Sequence, residues 1–203
     1  MPKQTFLSLE PEKQKRVMDA ALAEFSENAF AKVTIDNIVG RAGIPKGSFY
    51  QYFTNKEDLY RHLFRIITEE KKDALESVLP LMEQYGFHEF MRRLYMKGAD
   101  FNLQSQARMG LKEKFLNNCR AELREDILDL MMAESDELLE TILRFYMDKK
   151  ELRSGLNVPA TARLITTLST FISRGDKEPP GRDVLAERIE TMLSVILFGI
   201  VNS

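Results

Sequence analysis

Apolar residues recur at intervals of three and four through almost the whole chain, the spacing of a single buried helical face. Pro11 is placed to open a first helix, with Val17, Ala20, Ala21, Ala23 and Phe25 on its buried side and Asn28 near its end. Thr34 is a suitable N-cap for a short second helix with Ile35, Ile38 and Val39 inward, and Gly43 is placed to end it. Pro45 starts a third helix that runs to about Phe53. Asn55 caps a fourth, with Glu57 and Asp58 in its first turn, and Pro80 stops it after Leu79. Longer helices follow: one through Phe87, Phe90, Met91, Leu94, Tyr95 and Phe101, one through Met109, Phe115, Leu116 and Cys119, and one from Leu123 to Tyr146. "RSGLN" breaks the chain, Pro159 opens a helix to about Arg174, and "RGDKEPPGRD" reads as a loop before a last helix from Asp183 to Val201. No segment alternates like a strand. The pattern predicts an all-α protein: a small N-terminal three-helix unit over residues 1–55, then a larger helical bundle over 56–203.

The stretch "RAGIPKGSFYQYF" sets four aromatics, Phe49, Tyr50, Tyr52 and Phe53, just behind a glycine and a proline. A stacking platform for single-stranded nucleic acid is one reading. The other is a short helix with one face buried and the other against a phosphate backbone. Phe49 and Phe53 stand four apart and share a face that packs on Ile38, Val39 and Ile44, so two of the four rings belong to the core. Tyr50 and Tyr52 are left for contacts outside it, and Ser48 and Gln51 point away from the core. Two short helices joined by a tight glycine-containing turn are helix-turn-helix grammar.

Charge changes this picture little. Residues 1–65 hold ten Lys/Arg and eight Asp/Glu, a net of +2 within a chain of net −2. The bias is mild and would not by itself suggest nucleic acid. No run approaches a membrane span, no apolar N-terminal leader is visible, and Cys119 is the only cysteine among 203 residues, so a reducing, cytoplasmic setting is expected.

The segment "TIDNIVGRAGIPKGSFYQYFTNKEDLY", with "AALAEFSENAF" before it, resembles the N-terminal DNA-binding domain of the TetR family of transcriptional regulators. The resemblance is close over residues 10–65 and extends to the remainder only in length and helical class. It implies that Thr34, Lys46, Tyr50, Tyr52 and Lys56 hold phosphates, with Gly47 letting the backbone come close, and that Ser48 and Gln51 face base edges in the major groove. Two departures stand out. Pro45 replaces the small polar residue that usually caps the recognition helix, and Ala29 stands where a glycine commonly precedes the aromatic.

Enzyme motifs are missing. "HEF" at His88–Phe90 starts a zinc-protease pattern, but Arg92 stands where its second histidine belongs. Two histidines offer little for a metal site or a triad, and there is no nucleophile elbow or phosphate-binding glycine loop. We expect no catalytic residue, no metal and no cofactor.

Seven of the ten methionines and five phenylalanines lie between residues 80 and 150. They read either as ordinary core or, as the resemblance implies, as the lining of an adaptable cavity for an apolar or amphipathic effector. The candidate lining is Met91, Tyr95, Met109, Phe115, Met131, Glu134 and Ser135. Glu134 and Ser135 interrupt a wide apolar face, and Arg92, Arg93 or Arg108 is the expected partner for the carboxylate. The last two helices carry apolar faces too broad for one small bundle: Leu164, Leu168 and Phe171, then Leu185, Ile189, Met192, Leu193, Ile196 and Leu197. They predict a homodimer, whose two-fold axis suits a palindromic double-stranded operator. An effector-free structural DNA-binding protein and an all-α carrier or enzyme with a vestigial helix-turn-helix are the rival readings. The intact Lys46, Gly47, Tyr50 and Tyr52 argue against the second.

Overall fold

A computed structural model describes residues 1–173 and 180–200, the side chains at 171, 173 and 198–200 excepted. It is all-α, with no strand among the described residues. The helices are α1 Gln4–Leu7, α2 Pro11–Glu27, α3 Ile35–Ala42, α4 Lys46–Tyr52, α5 Lys56–Glu76, α6 Phe87–Leu103, α7 Gln106–Asn118, α8 Ala121–Asp148, α9 Val158–Ser169 and α10 Arg182–Ile200. Short 3-10 turns cover Leu79–Glu83 and Thr170–Ser173. Most of the loop expected at 174–183 lies outside the described residues.

The chain folds into two compact units, Met1–Thr68 with Ser105–Leu128, and Glu69–Gln104 with Asp129–Ser203. In the first, α2 packs on α3 and α7. Gly110 of α7 lies so close to the end of α2 that a Cβ there would stand 2.8 Å from the Ser26 carbonyl oxygen. The core joins Val17, Phe25, Ile38, Phe49, Phe53, Leu59 and Tyr60, all at most 1 % exposed. Caps follow the sequence. The Thr34 hydroxyl accepts from the Asn37 N–H at 3.2 Å, and Asn55 accepts from the Asp58 N–H at 2.9 Å. Gly43 ends α3 at φ 62°, the left-handed region that a side chain resists.

Two carboxylates, Glu24 and Asp58, are buried in this unit. Glu24 takes Arg41 at 3.0 Å and the Asn37 side-chain amide at 2.9 Å, so the end of α2 is tied to α3 by a compensated charge. The periodicity places Ala23 inward; the structure leaves Ala23 half-buried and puts Glu24 in the interior instead.

In the second unit α6 packs along α10, and Phe90, Met91, Ile142, Leu143, Tyr146 and Leu193 form the centre of the core. The Tyr146 hydroxyl donates to the Tyr85 carbonyl at 2.9 Å, and Glu151 accepts from the Phe87 N–H at 2.7 Å, closing the start of α6. Helix α5 ends at Glu76, three residues before the expected Leu79. The Ser77 hydroxyl turns back to the Ala74 carbonyl, and Pro80 lacks an N–H to continue the helix.

Candidate nucleic-acid interface

Helix α4 buries one face and presents the other. Phe49 and Tyr52 point inward, while Lys46, Gly47, Tyr50 and Gln51 are exposed and Ser48 is half-buried. Tyr50 stands edge-on to Phe49, with ring centroids 5.4 Å apart, and is 46 % exposed. Pro45 occupies the N-cap position without a side-chain cap, and only its own carbonyl is used, by the Ser48 N–H at 2.9 Å. Lys46 reaches back to Asp36 in the first turn of α3, at 2.8 Å, and that hydrogen bond raises the lysine pKa.

The other end of α4 is closed by the N-terminal segment. The Lys3 N–H donates to the Tyr52 carbonyl at 2.8 Å, the Lys3 ammonium to the Tyr50 carbonyl at 2.7 Å, and the Thr5 hydroxyl to the Gln51 carbonyl. These are carbonyls that a helix C-terminus leaves without partners. Phe6, 1 % exposed, lies 5.8 Å from the Tyr52 ring and 4.8 Å from Phe53.

Two residues expected to hold phosphates are placed differently from that reading. Tyr52 is 4 % exposed beneath Phe6, so its ring is part of the core. Lys56 is half-buried; its ammonium donates to the carbonyls of Phe30 and Val33 at 2.6 and 2.8 Å and lies 4.4 Å from the Phe30 ring centre. Burial lowers its pKa. Lys56 therefore pins the α2–α3 connection, where Ala29 stands. Thr34 is exposed, with its hydroxyl oxygen engaged as the α3 cap.

Residues 17–63 match the sequence model of the bacterial regulatory proteins of the tetR family. The chain is 24 % identical over 204 residues to the fatty acid metabolism regulator protein of Bacillus subtilis, covering 94 % of this chain and 99 % of that one. A TetR-family transcriptional regulator from Chloroflexus aurantiacus superposes over the full length of both chains, with a TM-score of 0.59 and 26 % identity. The Bacillus subtilis regulator FadR, solved in complex with stearoyl-CoA, shares the fold at a TM-score of 0.65 and 21 % identity, over 91 % of this chain and 98 % of its own. Residues 17–63 are thus the DNA-binding domain of the TetR family of transcriptional regulators. The chain's relatives are regulators and not enzymes.

The residues expected around an effector fall in both units. Met109 and Phe115 lie in the first, where Phe115 is buried with its ring 4.5 Å from Phe64. Met91, Tyr95, Met131, Glu134 and Ser135 lie in the second. Met91 is fully buried in the core cluster, Met131 is half-buried, and the Ser135 hydroxyl is turned to the Met131 carbonyl at 3.0 Å. Glu134 pairs with Lys72 at 2.8 Å. Arg92 and Arg93, expected as its partners, are taken by Glu89 on their own helix, and the Arg92 hydrogen bond holds the Glu89 pKa down at about 2.

The apolar faces of the last two helices divide in a way their breadth did not reveal. Leu185, Ile189, Leu193 and Ile196 are buried in the chain's own second unit. Leu168, Met192 and Leu197 are partly buried against the same core. Leu164 is 60 % exposed, and so is Val195, at 65 %, a residue that the sequence reading left out. The side chain of Phe171 lies outside the described residues. No helix among the described residues is long and apolar enough to cross a membrane.

Proposed function

We propose that this regulator is a cytoplasmic homodimeric repressor that binds a palindromic operator through α4 and is released from it by an amphipathic acyl ligand. The observation that carries the DNA reading is the exposed face of α4. Lys46, Gly47, Tyr50 and Gln51 stand together on it, on a helix held by α3 at one side and by the N-terminal segment at its end. Gln51 and Ser48 read base edges there, and Lys46, Tyr50 and Thr34 hold phosphates. Lys56 and Tyr52 act by fixing the domain rather than by touching DNA.

The dimer rests on Leu164 and Val195, large apolar side chains left open on α9 and α10. The ligand class rests on the Bacillus subtilis regulator of fatty acid metabolism, to which the chain is similar along nearly its whole length. A methionine- and phenylalanine-rich second unit suits an acyl chain. Release is a population shift: the ligand must prefer the form that does not fit two successive major grooves.

Selection of bound fragments from the parent genome, followed by titration of the recovered operator with long-chain acyl-CoA, tests both halves. The reading expects one recurrent palindrome and dissociation on adding the thioester. Random fragments would overturn the operator, and a complex indifferent to acyl compounds would overturn the effector.

A further inference from the structure

Lys71 on α5 is an unmatched cation. Its Cε lies 3.7 Å from the point where a Cβ on Gly98 of α6 would stand, with Leu75 at 3.6 Å from the same point. The glycine lets the lysine stem lie against α6. The next residue, Lys72, takes Glu134 at 2.8 Å and Glu137 at 3.6 Å. No ion pair or hydrogen bond engages the Lys71 ammonium among the described residues. Burial without a counter-charge lowers its pKa. Lys71 is half-buried, so an anion set against its ammonium meets less competing water than at an open surface.

A second unspent polar group stands on α6, one turn before Gly98. Tyr95 precedes Gly98 by three residues and shares its helix face. The Tyr95 hydroxyl is buried with no partner at hydrogen-bond geometry. Ser169, which lies near enough to influence its titration, has turned its own hydroxyl to the Thr166 carbonyl at 2.7 Å. The surroundings are apolar, with Leu75, Leu94 and Met96 associated with the core.

We propose that Lys71 anchors the anionic head of an amphipathic ligand in the second unit, with the Tyr95 hydroxyl as a second donor. This rests on the acyl-effector reading above and adds the group that recognises the head. The anion is a carboxylate if the ligand is a free fatty acid and a phosphate if it is a coenzyme A thioester. Either supplies the missing counter-charge.

Binding of dodecanoate, dodecanoyl-CoA and neutral dodecanol to the full chain, measured by calorimetry below their micellar concentrations, tests this. Wild type should bind at least one of the two anions about tenfold or more tightly than dodecanol, as a charge-assisted contact requires. Lys71→Met should bring that anion to within about twofold of dodecanol, and Lys71→Arg should keep the preference. Retained dodecanol binding by Lys71→Met shows that the variant is folded. Whichever anion loses affinity in Lys71→Met identifies the head group. The inference is overturned alone if dodecanol matches both anions in wild type, or if Lys71→Met keeps the anion preference. If none of the three compounds binds wild type, the acyl-effector reading falls and the inference falls with it.

Discussion

The backbone N–H of Lys3 donates to the carbonyl of Tyr52 at 2.8 Å, so the N-terminal segment caps the helix that presents Gln51. Phe6 holds this segment in place by burying its ring against Tyr52, Phe53 and His62. Phe6→Ala should cost about 3–5 kcal/mol of stability, the range for a buried phenylalanine truncated to alanine. It should also weaken operator binding without changing which bases are preferred. Urea unfolding and operator titration check both, and an unchanged unfolding midpoint would contradict the cap.

Gly110→Ala places a methyl 2.8 Å from the Ser26 carbonyl oxygen, and backbone cannot rotate away as a flexible side chain would. Alanine favours a helix interior over glycine by about 1 kcal/mol, so a simple propensity argument expects stabilisation. The close approach predicts the reverse, a lower melting temperature. Differential scanning calorimetry decides the sign.

His62 is 6 % exposed, and burial, with the Arg65 guanidinium 3.0 Å from its Nδ1, lowers its pKa to about 4. The unfolded chain takes up a proton near pH 6.5, whereas the folded chain resists it to about pH 4. Between those values the unfolded state binds more protons, so stability falls as pH falls, by up to about 1.4 kcal/mol per pH unit. The loss levels off below the folded pKa. His62→Gln should flatten the dependence of the urea midpoint in this window, even though it removes ring packing against Phe6.

The sequence was informative where the cause of structure is local. Thr34, Gly43 and Asn55 mark helix ends by their own chemistry, and Phe49 and Phe53 declare a buried face by their spacing. Tyr52 and Lys56 were harder to read because what engages them is distant. The cover over Tyr52 comes from Phe6, on a four-residue helix too short to show a period. The ammonium of Lys56 is held by carbonyls 26 and 23 residues away. The burial of Glu24 on α2 depends on Arg41 and Asn37 of α3, partners that no local pattern announces. The apolar breadth of α10 was legible, but breadth does not say whether α6 of the same chain or a second copy covers each residue. Lys71 has no signature in the sequence at all, since a missing counter-charge shows only in three dimensions.

That division decides how the dimer should be tested. Leu193 is fully buried in its own chain, so Leu193→Asp would unfold the unit whatever the oligomeric state. Leu164→Glu alters a side chain that is 60 % exposed and should change folding stability by only about 0.5 kcal/mol in a monomer. If α9 and α10 form the interface, it should yield folded monomers that no longer bind the operator. Light scattering at micromolar concentration reads the outcome, and a monomeric wild type would contradict the interface.

The central claim is that the exposed face of α4 reads a specific operator. The most direct measurement is fluorescence anisotropy of the selected fragment, and of its single-base-pair variants, against wild type, Gln51→Ala and Tyr50→Phe at moderate salt. Gln51→Ala should lose discrimination at one symmetric base pair per half-site, worth about 1–3 kcal/mol. Tyr50→Phe should weaken all fragments alike, because a phosphate contact carries no sequence information. Full discrimination by Gln51→Ala at every base pair, together with wild-type affinity for Tyr50→Phe, would contradict the account.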